Sequence, residues 1–224
     1  MANWEQLNFQ DGLSPVIEQL RILHDHIIRI LLLITLIVLY CLSFFFLQKK
    51  TSVIIRHNHS LETIWTILPA SILFIIAFPS LRLLYMREEQ LYRPLRVKTM
   101  GHQWYWSYEY RNFKDTEFDS FIKNENFLFR LLETDNFLVL PTKRFIQIFT
   151  SSTDVLHSWT VPALGVKADS TPGRLNIINF LNNKPGVLYG QCSEICGANH
   201  RFIPISLLSL PFKKFLIWLN LESL

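Results

Sequence analysis

The rhythm of hydrophobic and polar positions changes once along the chain. Two unbroken apolar runs come first, "IIRILLLITLIVLYCLSFFFL" from Ile27 to Leu47 and "IWTILPASILFIIAFPSLRLLY" from Ile64 to Tyr85. Each has about the 20 residues that a helix needs to cross a hydrocarbon core near 30 Å thick. They predict transmembrane helices over about residues 27–47 and 64–85, joined by a short loop into an antiparallel hairpin. Pro69 and Pro79 would kink the second helix, which a membrane bundle tolerates. A cleavable leader would put a shorter run behind a basic start; here Glu5, Asp11, Glu18 and Asp25 precede the run against Arg21 alone.

From about Leu91 the runs shorten. "FLFRLL", "NFLVLP", "RFIQIFTSS", "RLNIINFL" and "GVLYGQ" alternate or are β-branched, and Asp135-Asn136, Pro172-Gly173 and Pro185-Gly186 mark turns between them. This spacing predicts the strands of an antiparallel sandwich or barrel. Only the tail "FKKFLIWLNLESL" reads as helix, with Phe212, Phe215, Leu216 and Leu219 on one side. The chain therefore divides into an N-terminal segment with a helix hairpin, residues 1–90, and one β domain, residues 91–224: a membrane-anchored α + β protein.

Composition agrees. Half of the 224 residues are hydrophobic, yet 18% are charged, too many for a chain wholly buried in lipid. The net charge of +4 is mild and its Lys and Arg are scattered, so nucleic acid is not an expected partner. The loop between the spans holds Lys49, Lys50 and Arg56 against Glu62, which places it on the cytoplasmic or matrix side. Both termini and the β domain then face the opposite compartment.

Chemistry concentrates in "GQCSEICGANHRFIPI", where Cys192, Glu194, Cys196 and His200 fall within nine positions. A zinc ribbon needs two cysteine knuckles and only one pair exists. Haem attachment needs Cys-x-x-Cys-His, which this spacing excludes. A disulfide between Cys192 and Cys196 suits the more oxidising side but leaves the histidine and glutamate without a role. Copper accounts for more, because thiolate and imidazole suit it and β-sandwiches house it. His157, just past "RFIQIFTSS", offers a second imidazole. Two thiolates can bridge two copper ions with one histidine for each.

With "CSEICGANH", "HSWTVPALGVKADSTPGRLN", "GHQWYWSYEY" and "LETIWTILPA" on one chain, the sequence resembles the cytochrome c oxidase subunit II family over essentially its whole length. The resemblance implies a cupredoxin-like domain with a binuclear copper centre, CuA. Its ligands map to His157, Cys192, Cys196, His200 and the backbone carbonyl of Glu194, whose side chain also binds a magnesium ion shared with subunit I. It further implies a redox subunit of a haem–copper terminal oxidase. Such a subunit takes electrons from cytochrome c and passes them to haem in subunit I, supporting oxygen reduction to water coupled to proton pumping. The implied setting is the mitochondrial inner membrane, among lipid and other oxidase subunits, with the β domain and both termini in the intermembrane space. The absence of a leader fits a chain made inside the organelle.

Other positions follow from the same resemblance. "GHQWYWSYEY" has five aromatics in its last seven residues; alternation makes Tyr105 or Tyr108 core-filling, and the resemblance makes Trp104 the residue that receives the electron. Glu109, Asp115, Asp119, Asp135 and Asp154 resemble docking carboxylates for a basic cytochrome, diluted by Arg111 and Lys114. Glu62 matches a carboxylate at a proton-channel entrance, the alternative being an ordinary loop carboxylate. Neither span holds a histidine, so haem must sit in another subunit. A quinol oxidase subunit would lack the cysteines, and a copper chaperone would need neither His157 nor the aromatic strand.

Two positions depart from the family. Ile203 stands where its weak axial methionine is expected, and Arg201 where serine is usual. Isoleucine offers no lone pair, which would shift the potential of any copper there. The chain is rich in Phe, Ile, Leu and Asn, as AT-rich organellar genes are, and has only three methionines. Several animal mitochondrial codes read ATA as methionine and AGA as serine. The expectation is that both departures arise from reading those codons in the standard code.

Overall fold

The computed structural model describes residues 6–48, 57–88, 94–111, 116–125 and 128–222. Lys49, Lys50, Arg56, Lys114 and Asp115 lie outside these residues. The described residues form two compact units, one of residues 19–86 and one of residues 1–18 with 87–224.

The first unit holds the apolar runs as helices, α1 (Pro15–Leu47) and α2 (His59–Glu88), both long and apolar enough to cross a membrane. Both outrun the predicted spans at their N-terminal ends. Ser14 Oγ accepts from the N–H of Ile17, and Asn58 Oδ1 from that of Leu61. These side chains satisfy first-turn donors that would otherwise lack partners, so each helix begins at a polar residue ahead of its apolar run. Pro69 and Pro79 lie inside α2. Leu31, Leu36, Phe45, Leu68 and Phe74 are among many exposed apolar side chains on the two helices. Such a surface suits lipid.

The second unit is a β-sandwich. One sheet is ordered β3 (Glu117–Ser120), β2 (Tyr105–Tyr110), β1 (Leu95–His102), β5 (Phe145–Ser152), β8 (Asn176–Leu181). A second is ordered β4 (Leu138–Pro141), β10 (Pro204–Leu210), β9 (Gly186–Gln191), and β6 (His157–Val161) pairs with β7 (Val166–Ser170). The expected antiparallel arrangement needs correction. β1 runs parallel to β5, and β10 parallel to β4. A period of two is the same in either orientation, so alternation could not reveal this.

Alternate residues of β1 and β5 are buried, as the pleat requires. Val97, Trp106, Tyr108, Ile146 and Ile148 share one core with Leu138, Leu140, Ile205 and Leu207. Burying a side chain such as Ile148 is worth roughly 1.5–3 kcal/mol. Tyr108 is core, as alternation predicts; Tyr105 is only half buried, stacked between His102 and Phe121. Within "FLFRLL", residues 128–132 are not a strand. The Glu133 carboxylate accepts from the N–H groups of Leu128 and Phe129 and folds the segment into turns. The tail forms α3 (Phe212–Glu222), whose Phe215 and Leu219, one turn apart, enter the core. Residues just before α1 pack on this unit too: Leu13 N–H donates to Ala163 O, and Ser14 Oγ–H to Leu164 O.

Candidate metal centre

Three connections converge at one end of the sandwich. The cysteines lie between the antiparallel neighbours β9 and β10, whose register pairs Gln191 with Pro204 and so fixes both ends of the loop. Cys192 N–H donates to Ile203 O at 3.0 Å, closing that loop, and Ser193 N–H donates to Ser158 O at 3.0 Å, tying it to β6. His157, the first residue of β6, is thereby held beside Cys192. Turn bonds from His200 N–H to Gly197 O and from Phe202 N–H to Asn199 O bring His200 back over Cys196. The third connection is the β1–β2 turn, carrying Gln103 and Trp104.

The resulting donor set is compact. Donor atoms of His157, Cys192 and Cys196 lie within 4.8 Å of one another, and all three residues are buried. Each thiol has its own imidazole: Cys192 Sγ is 3.9 Å from His157 Nδ1, and Cys196 Sγ is 3.4 Å from His200 Nδ1. The Glu194 carbonyl oxygen is 3.4 Å from Cys192 Sγ. Both cysteines are free thiols, not a disulfide. Ile203 is 1% exposed and shares the hydrophobic core with both cysteines, and its side chain carries no ligand atom.

Electrostatics divide the thiols. Burial would raise Cys192, but hydrogen bonds, foremost that with His157, outweigh it and lower the thiol below its ordinary value. Burial, with the Cys192 sulfur beside it, pushes the Cys196 thiol up to about 12. Burial would likewise lower His157, yet its bonds to Cys192 and Asp154 raise it. Asp154 Oδ1 lies 2.9 Å from His157 Nε2. An ionised carboxylate only accepts, so Nε2 carries a proton and Nδ1 is the nitrogen that faces the sulfurs, with a lone pair to offer a metal once the ring is neutral. Two sulfurs, two imidazole nitrogens and a carbonyl, with His157 and both cysteines buried and His200 partly so, fit a soft transition metal.

The remaining predicted positions are placed as follows. Trp104 is half buried against the core edge, its indole N–H without a hydrogen-bond partner among the described residues. Among the predicted docking carboxylates, Asp119 and Asp135 are exposed. Glu109 pairs with Lys98 Nζ at 3.1 Å and with Arg111. Asp154 bonds His157 and the Gln103 N–H. Glu62 sits in the first turn of α2 beside His59. Sequence reasoning missed the Asp154–His157 pairing, whose only trace is a carboxylate three residues before the histidine. It also missed Gly101, where a Cβ would lie 2.8 Å from the His157 ring.

Residues 95–210 match the family described as cytochrome C oxidase subunit II, periplasmic domain, and residues 2–83 match its transmembrane domain. The chain is 52% identical over 224 residues to cytochrome c oxidase subunit 2 of Aedes aegypti, covering 98% of each. It is 53% identical to that of Locusta migratoria, covering 98% of this chain and 99% of the relative. Its fold is similar to a crystal structure of the periplasmic domain of subunit II of cytochrome oxidase from Bradyrhizobium japonicum. That match has a TM-score of 0.57 and 40% identity, over 60% of this chain and 97% of the other.

Proposed function

Given that the chain belongs to the cytochrome c oxidase subunit II family, as subunit 2 of a haem–copper terminal oxidase complex, we propose that its β domain relays electrons from cytochrome c to haem in subunit I. The observation that carries this reading is the one-to-one pairing of thiols and imidazoles, Cys192 with His157 and Cys196 with His200. The family implies copper, and His157, Cys192, Cys196, His200 and the Glu194 carbonyl are the groups that would hold a pair of ions. When bound, such a pair supplies a one-electron carrier whose redox change is spread over two metals and two sulfurs.

The chain's own residues prepare that carrier. Asp154 fixes the tautomer and direction of His157. Cys192, Cys196 and Ile203 are buried, which excludes water from the donors. Trp104 is the proposed receiving residue, since its half-buried indole lies at the edge of the same loop: a Cβ on Gly197 would be 3.3 Å from its Nε1. Asp119 and Asp135 present exposed charge for a basic cytochrome, and Glu109, Asp115 and Asp154 complete the proposed docking set. Glu194, partly exposed beside the donors, is the proposed magnesium ligand shared with subunit I.

The proposed setting is the mitochondrial inner membrane, with the β domain and termini in the intermembrane space and Glu62 at a proton-channel entrance on the matrix side. The basic loop residues Lys49, Lys50 and Arg56 and the similarity to insect relatives support it. In that setting the complex reduces oxygen to water with proton pumping. Copper stoichiometry and spin resonance of the full-length chain test the reading.

A further inference from the structure

The β1–β2 turn touches both arms of the metal centre through one residue. Gln103 N–H donates to Asp154 Oδ2 at 2.6 Å, and the other oxygen of that carboxylate faces His157 Nε2. The Gln103 side chain reaches elsewhere: its Nε2 donates to the Cys196 carbonyl at 2.8 Å. Its neighbour in the chain is Trp104. An exposed glutamine with both polar ends committed in this way is not an ordinary solvated turn residue.

Gly197 makes the approach possible. Its φ is +128°, and a Cβ there would lie 3.1 Å from Gln103 Nε2 and 3.3 Å from Trp104 Nε1. A glycine lets the turn close over the loop, but it also leaves the Cys196–Gly197 peptide plane free to rotate. The bond from Gln103 removes that freedom at the residue bearing one of the two thiols.

We propose that Gln103 is a positioning residue that sets the separation of the His157 and Cys196 arms and locks both to Trp104. This inference rests on the copper reading above. Gln103 touches neither a donor atom nor a metal; it acts through the Asp154 carboxylate on one side and the Cys196 peptide on the other. The side-chain bond gives a continuous route from the Trp104 turn to the cysteine loop, and the backbone bond gives one through Asp154 to His157.

The test uses two variants in the whole oxidase complex. Gln103→Met keeps the length and removes the donor; Gln103→Glu keeps the shape and, ionised, can only accept. Both are expected to shift the copper-pair absorption and spin-resonance spectra. Both should also slow electron transfer from reduced cytochrome c at saturation by on the order of tenfold, with KM changed less than about twofold. In the copper-free full-length chain, amide exchange at His200, whose N–H bonds the Gly197 carbonyl, should quicken about tenfold in both. Wild-type spectra in both variants, or wild-type exchange in both, would overturn the role of Gln103. A wild-type complex with no copper-pair spectrum would instead overturn the copper reading itself, so the two failures are distinguishable.

Discussion

Asp154 Oδ1 and His157 Nε2 lie 2.9 Å apart, a carboxylate and an imidazole joined three residues from one another at the start of β6. The contact directs His157 Nδ1 at Cys192. Hydrogen bonds of this kind fix ring orientation and raise ligand basicity. Asp154→Asn is predicted to weaken copper binding by about 10–100-fold in chelator competition. Unchanged copper affinity with weaker cytochrome c docking would make Asp154 a surface charge only.

The two thiols predict a pH dependence. Cys196 is held up to about 12, chiefly by burial, so metal binding must displace its proton throughout the neutral range. Copper affinity should therefore rise about tenfold per pH unit from this thiol, and more steeply at lower pH, where the raised His157 is protonated as well. Competition titrations between about pH 7 and about pH 9 check this; a flat profile would contradict it. Cys192, lowered by its bond to His157, should be the faster thiol toward an alkylating reagent in the copper-free chain.

Trp104 and the exposed carboxylates are predicted to separate kinetically. Trp104→Ala should slow electron acceptance from cytochrome c more than about tenfold while leaving its Kd within about twofold, because charge governs encounter and the aromatic edge governs transfer. Neutralising Asp135 should do the reverse, most clearly at low salt. Equal losses of rate and affinity in Trp104→Ala would mark a structural tryptophan.

Chemistry was more legible in the sequence than geometry. Cys192, Cys196 and His200 sit four residues apart in one loop, so their spacing alone pointed to a candidate site; His157, also named from the sequence, lies with the two thiols from a neighbouring strand. The long apolar runs likewise showed the helices. Gln103 and Asp154 were opaque as contacts, because a turn glutamine and a polar carboxylate carry no pattern until folding brings β1, β6 and the β9–β10 loop together. "FLFRLL" misled for a related reason: its apolar content resembles a strand, yet Glu133 takes its backbone donors.

Positions 201 and 203 can be read directly from the native protein. Position 203 is 1% exposed and its carbonyl accepts the Cys192 N–H, requirements that methionine meets as well as isoleucine. Ile203→Met conserves volume and should cost less than about 1.5 kcal/mol, while adding a soft donor beside the thiols. Arg201 is exposed, with its guanidinium 4.8 Å from the Phe202 ring centroid. Mass spectrometry of the native peptide is predicted to show serine at 201 and methionine at 203, with AGA and ATA codons in the gene. Masses for arginine and isoleucine would show that the departures are real.

Cys192 and Cys196, each with its own imidazole, are proposed to hold a pair of copper ions. Metal analysis with spin resonance on the copper-loaded full-length chain measures this. The predicted result is two copper ions per chain, with hyperfine structure from one unpaired electron shared by both nuclei, and loss of that signal in Cys192→Ser and Cys196→Ser. One copper ion with the hyperfine pattern of a single nucleus, or a site that retains only zinc, would contradict it.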